Sequence, residues 1–86
     1  MTITKKPGKF VETEIDDEVV LMDLESGNFF SLAGTSLAVW KAIDGACTEA
    51  QIVSRLAGDY AADADLVAAD VAEFLAELRN AGLIEG

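Results

Sequence analysis

The apolar pattern of this chain changes its period once, at Gly34. Before that point apolar residues sit in short runs bounded by turn signals: "FVETEI" from Phe10 to Ile15, "EVVLMDL" from Glu18 to Leu24, and "NFFSLA" from Asn28 to Ala33. These read as strands, separated by Asp16-Asp17 and Ser26-Gly27. After it, apolar residues recur at helical spacing: Leu37, Trp40 and Ile43, then Ile52, Val53 and Leu56, then Val67, Val71, Phe74, Leu75 and Leu78. Strands that all precede the helices specify an α+β fold, here a three-stranded antiparallel sheet followed by three helices. With 86 residues the chain is one domain. The stretch "MTITKKPGK", residues 1–9, holds Pro7-Gly8 and three lysines and reads as a flexible N-terminal arm. The domain then spans 10–86.

The hairpin poses a packing problem. A two-residue turn at Ser26-Gly27 pairs Glu25 with Asn28, and sets Leu24 against Phe29, Asp23 against Phe30, Met22 against Ser31 and Leu21 against Leu32. One face then carries Val19, Leu21, Phe30 and Leu32. The other carries Val20, Met22, Leu24 and Phe29. A small antiparallel sheet with one wet face alternates cleanly, and this one does not. Something is expected to cover part of the second face. Phe29 and Phe30 are neighbours, so they point to opposite sides. Phe30 belongs to the core, and Phe29 needs another partner.

The helix ends are marked. Thr35 or Ser36 caps the first helix, and Gly45 follows its end. Thr48-Glu49-Ala50-Gln51 is a capping box that opens the second helix, which ends around Gly58-Asp59. Asp63 or Asp65 caps the third, and Gly82 stops it. Leu83-Ile84 form an apolar tail that folds back onto the core. Trp40 is the expected core anchor.

Composition excludes several chemistries. There is no histidine and only one cysteine, Cys47. That removes an internal disulfide, a His-bearing or Cys-only zinc site, and a Ser-His or Cys-His couple. The 16 acids of so short a chain belong mostly to solvated surface. No enzyme activity and no cofactor or metal are expected. The net charge of −10, with six basic residues, disfavours nucleic acid, because phosphate binding rests on Lys and Arg. The longest apolar run, Val19 to Met22, is too short for a membrane span, and no signal-peptide pattern follows Met1. A cytoplasmic location is expected.

Two other readings arise from local motifs. The two helices after Gly34, with the hairpin as a wing, look like a DNA-binding winged helix, although the second helix offers only Arg55 to a nucleic acid. Thr35-Ser36-Leu37 is similar to the Asp-Ser-Leu of acyl carrier proteins, with Thr in place of Asp and a hairpin in place of the preceding helix. For Ser36, the helix cap is the commoner role.

The segments "VVLMDLESGNFFSL", "AVWKAIDGACTEAQIVSRLAGDY" and "DVAEFLAELRNAGLIE" together resemble the PqqD family, the peptide-binding RiPP recognition elements of ribosomal peptide modification. The likeness runs from about Glu14 to Glu85. It resembles the stand-alone recognition proteins of lasso-peptide clusters more than the pyrroloquinoline quinone pathway protein. The chain departs from many relatives at Ala33-Gly34, where they carry Asn. The resemblance implies a winged-helix-like fold. It also implies a partner, the leader segment of a precursor peptide, and delivery of that precursor to a modifying enzyme or leader peptidase. The leader would add as a strand to the third strand, at Asn28, Phe29, Phe30, Ser31, Leu32 and Ala33, with Met22 behind Phe29. The groove wall would be the third helix, around Val67, Asp70, Val71 and Phe74.

Overall fold

The computed structural model describes residues 2–86. The elements run β1 (Thr4–Lys5), a 3-10 turn (Pro7–Lys9), β2 (Phe10–Ile15), β3 (Glu18–Asp23), β4 (Phe29–Leu32), α1 (Thr35–Ala42), α2 (Glu49–Asp59), α3 (Ala64–Asn80) and β5 (Ile84–Glu85). The antiparallel sheet has the order β2-β3-β4, and the three helices follow it, as the change of period at Gly34 implies.

The helix starts have local causes. At α2 the capping box is complete: the Thr48 hydroxyl accepts from the Gln51 N–H, and the Gln51 side chain accepts from the Thr48 N–H. Asp63 caps α3 by accepting from the Asp65 N–H at 2.8 Å. The start of α1 differs from expectation. Gly34 occupies the cap position with φ 59°, where no side chain caps the helix. Ser36 turns its hydroxyl back to Ala33 instead.

The hairpin register is also corrected. Val19 faces Leu32, Val20 faces Ser31, Leu21 faces Phe30 and Met22 faces Phe29, two residues away from the register of a two-residue turn. The cause is Asp23. Its carboxylate accepts from the Glu25 N–H and the Ser26 hydroxyl, each at 2.9 Å, while the Asp23 C=O accepts from the Gly27 N–H and its own N–H donates to the Asn28 C=O, each at 2.8 Å. The loop therefore holds four residues, Leu24 to Gly27, with Gly27 at φ 76°. Because side chains alternate with period two, a shift of two leaves both faces as expected.

The helices cover one face of the sheet. Val19, Leu21 and Leu32 are buried with Leu37, Trp40, Ile52, Leu56, Leu75 and Leu78 in a single core. Trp40 is enclosed. Its Nε1–H donates to Glu12 at 3.1 Å, the Phe10 ring meets it edge-on at 5.1 Å, and the Lys5 ammonium lies 4.3 Å above it.

The flexible arm is not what the structure shows for residues 2–9, and Met1 lies outside the described residues. Ile3 is buried in the core and its N–H donates to the Cys47 C=O at 2.9 Å. Thr4 and Lys5 pair with Glu85 and Ile84 as a two-stranded ribbon. Leu83 and Ile84 are buried, so the C-terminal tail folds back as expected. An apolar Ile3 with a mate at the far end of the chain outweighs the Pro-Gly and lysine signals beside it. No helix among the described residues is long and apolar enough to cross a membrane.

Candidate functional site

Among the described residues β4 is an outer strand, bonded only to β3. The Asp23-to-Asn28 hydrogen bond sets the phase of their ladder. In an antiparallel pair bonded and non-bonded residue pairs alternate, so Leu21–Phe30 and Val19–Leu32 are the bonded pairs. The N–H and C=O groups of Phe29 and Ser31 then point outward. Both ends of this edge are closed by side chains. The Asn28 N–H donates to Ser26 Oγ at 3.2 Å, and its C=O already accepts from Asp23. Ser36 Oγ accepts from the Ala33 N–H at 3.2 Å and donates to the Ala33 C=O, with an O···O distance of 2.9 Å. Of the six residues expected to form the edge, only Phe29 and Ser31 present free backbone groups.

Side chains divide about this edge as their alternation requires. Leu32 is buried and Phe30 half-buried against the core, while Phe29 is 69% exposed on the opposite face. There Val11, Met22 and Phe29 are register partners and form an apolar row across three strands. Val11 is 45% and Ile15 54% exposed. Among the described residues nothing covers this face, so the expected cover is not supplied by the chain itself.

α3 runs along the other side. Arg79 bonds Glu49 of α2 at 3.3 Å, which turns one flank of α3 toward α2. By helical spacing the opposite flank carries Leu66, Asp70, Glu73 and Glu77, all exposed, with half-buried Phe74 at its inner margin. Two of the expected wall residues are corrected. Val71 is fully enclosed and Val67 nearly so, because they form the inward stripe with Leu75 and Leu78. Both lie inside the core rather than at the surface. Asp70 and Phe74 remain at the surface. The role of Ser36 in ending the edge carries no motif of its own: its one signal in the sequence is a hydroxyl three residues after Ala33, the expected strand end.

The hairpin carboxylate is charged by design of its loop. The Glu25 N–H, then the Ser26 hydroxyl, hold Asp23 below the ordinary aspartate value. Among the described residues no three His, Cys, Asp or Glu side chains converge as metal ligands do. The arrangement offers hydrogen bonds, apolar contact and negative charge, which suit an extended peptide segment.

The family model for coenzyme PQQ synthesis protein D (PqqD) matches residues 18–84. The chain belongs to the PqqD family. Two solved structures share its fold. TbiB1 in complex with the TbiA(beta) leader peptide has a TM-score of 0.82 and 31% identity, and the match covers 96% of this chain and 95% of that one. Lasso peptide synthetase B1 complexed with the leader peptide has a TM-score of 0.83 and 19% identity over the whole of both chains. No curated protein sequence matches the chain. The winged-helix-like α+β fold inferred from the PqqD resemblance is thus the fold of this protein.

Proposed function

We propose that this PqqD-family chain binds the leader segment of a ribosomally made precursor peptide and delivers the precursor to a modifying enzyme or leader peptidase. One observation carries the mode of binding: β4 has an unpaired edge whose ends are closed, leaving Phe29 and Ser31 to receive a strand. The 31% identical relative, matched over nearly its full length, is in complex with a leader peptide, which supports the same class of ligand.

Two edge residues form about four backbone hydrogen bonds, two donated and two accepted, each contributing about 0.5–1.5 kcal/mol net. That holds a strand in place but selects no sequence. Selection falls to the side chains. Alternate leader residues point toward the helix-covered side of the sheet, where half-buried Phe30 lies, and the others toward the face that carries Phe29. The chain contributes no catalytic step. It acts by raising the effective concentration of the precursor near its enzyme.

The DNA-binding reading has no support, since α2 presents Arg55 alone and the net charge is −10. The test is hydrogen exchange with and without a lasso-precursor leader peptide. The Phe29 and Ser31 amides should gain protection. Those of Phe30 and Leu32, already bonded to β3, should change little. Protection confined to other elements would refute strand addition.

A further inference from the structure

The sheet has a second free edge. Among the described residues β2 pairs only with β3. The Leu24 N–H donates to the Lys9 C=O at 3.0 Å, one step beyond the Phe10–Asp23 pair, so the bonded pairs of this ladder are Val11–Met22, Thr13–Val20 and Ile15–Glu18. The backbone N–H and C=O groups of Glu12 and Glu14 therefore face outward. No loop among the described residues bonds them. Unlike the β4 edge, they are not bounded by a Ser36.

A cavity of about 440 Å³ lies against the same strand. Phe10 and Glu12 form one wall, Lys5 another, and Ile43 with Asp44 the third. Phe10 is held in place there by its edge-on packing against Trp40. Glu12 and Asp44 outnumber Lys5 in the recess, and Glu14, Asp16, Asp17 and Glu18 continue the acidic surface along the strand and beyond it. The β2 edge thus sets free backbone groups beside a partly apolar recess.

We infer that the β2 edge accepts an extended segment bearing Lys or Arg from the enzyme that acts on the leader-loaded precursor. The inference rests on the leader-binding reading above and adds where the enzyme docks. Charge decides between occupants. In a second copy paired antiparallel about Thr13, Glu12 faces Glu14 and Glu14 faces Glu12; in a parallel in-register pair each Glu lies beside itself. Like charges directly opposite destabilise a strand pair. A strand with basic residues at those positions gains what a second copy loses. The two edges are separated by the width of the sheet, about 10 Å for two strand spacings. Leader and enzyme segment can then be held together, on one sheet, without competing.

The test uses the full chain saturated with leader peptide, so that β4 is occupied. A synthetic peptide of alternating lysine and valine is titrated against it, with alternating glutamate and valine as the control, and the purified enzyme is titrated separately. The lysine peptide and the enzyme should each protect the Glu12 and Glu14 amides from exchange, and the glutamate peptide should not. Glu14 is exposed and makes no side-chain hydrogen bond, so Glu14→Lys should fold normally. It should leave leader affinity unchanged and weaken both the lysine peptide and the enzyme by about tenfold. Unprotected Glu12 and Glu14 amides, equal protection by the two peptides, or enzyme binding indifferent to Glu14→Lys would each overturn the inference and leave the glutamates as guards against edge-to-edge aggregation. Failure of the leader-binding reading is seen separately, as no leader binding by the unsubstituted chain.

Discussion

The hydroxyl of Ser36 both accepts from the Ala33 N–H at 3.2 Å and donates to the Ala33 C=O at an O···O distance of 2.9 Å. One side chain on the first turn of α1 thereby ends the free edge of β4. The edge offers two outward-facing residues, Phe29 and Ser31, because Ser36 holds one end and Ser26 the other.

Ser36→Ala should lengthen the edge. Loss of the hydroxyl costs about 0.5–1.5 kcal/mol, and melting temperature falls by about 4–8 °C per kcal/mol in a domain of this size. With leader bound, protection from hydrogen exchange should extend to Ala33. If the pattern stops at Ser31 in both proteins, the leader's own sequence, and not Ser36, sets the length of the added strand.

The two phenylalanines should separate stability from binding. Phe30 is half-buried, so Phe30→Ala should cost about 2–3 kcal/mol, less than the roughly 3–5 of an enclosed ring. Phe29 is 69% exposed, and Phe29→Ala should cost no more than about 0.5 kcal/mol while weakening the leader. Melts and leader titrations on the same proteins make the comparison. Equal melting temperatures would place both rings in one environment.

Val71 and Phe74 should behave oppositely. Val71→Asp buries an unpaired carboxylate where no surface is exposed, and the chain should lose its cooperative melt. Phe74→Ala keeps the inner stripe of α3 and should retain a cooperative melt with reduced leader affinity. Circular dichroism distinguishes the outcomes before any titration.

Asp70, Glu73 and Glu77 share one flank of α3. They should favour leaders with Lys or Arg facing them, and affinity for such a leader should fall as salt shortens the Debye length from about 30 Å at 0.01 M to about 10 Å at 0.1 M. Asp70→Asn with Glu73→Gln and Glu77→Gln should flatten that dependence. A salt dependence unchanged by all three would assign these acids to solubility.

The hairpin should loosen in acid. Asp23 sits below the ordinary aspartate value, chiefly through the Glu25 N–H, and Asp44 does so through the Ala46 N–H. A depressed carboxylate stabilises the fold fully above its unfolded value, near 3.9, and this is lost as pH falls through the lower folded value. Stability should hold from about pH 7 to 5 and drop below about pH 4. Asp23→Asn should shrink the drop. An unchanged acid limb would place the titration elsewhere.

Local sequence determined the elements and their faces. The change of period at Gly34 separates strands from helices, Thr48 and Gln51 start α2, Asp63 starts α3, and the alternation of Phe29 and Phe30 sends one inward and one out. These are properties of residues a few positions apart, and the chain carries them before it folds. Register, edge length and enclosure are different. The register depends on an Asp23 carboxylate that folds a four-residue loop where turn residues alone suggest two. The edge ends where a helix returns Ser36 to Ala33. The arm is ordered because Ile3 and Ile84, at opposite ends of the chain, enter one core. Val67 and Val71 are hidden because the inward stripe of α3 turns into that core, leaving the Asp70 flank outside. Each depends on which surfaces meet, and a sequence pattern records the period of a face but not what is laid against it.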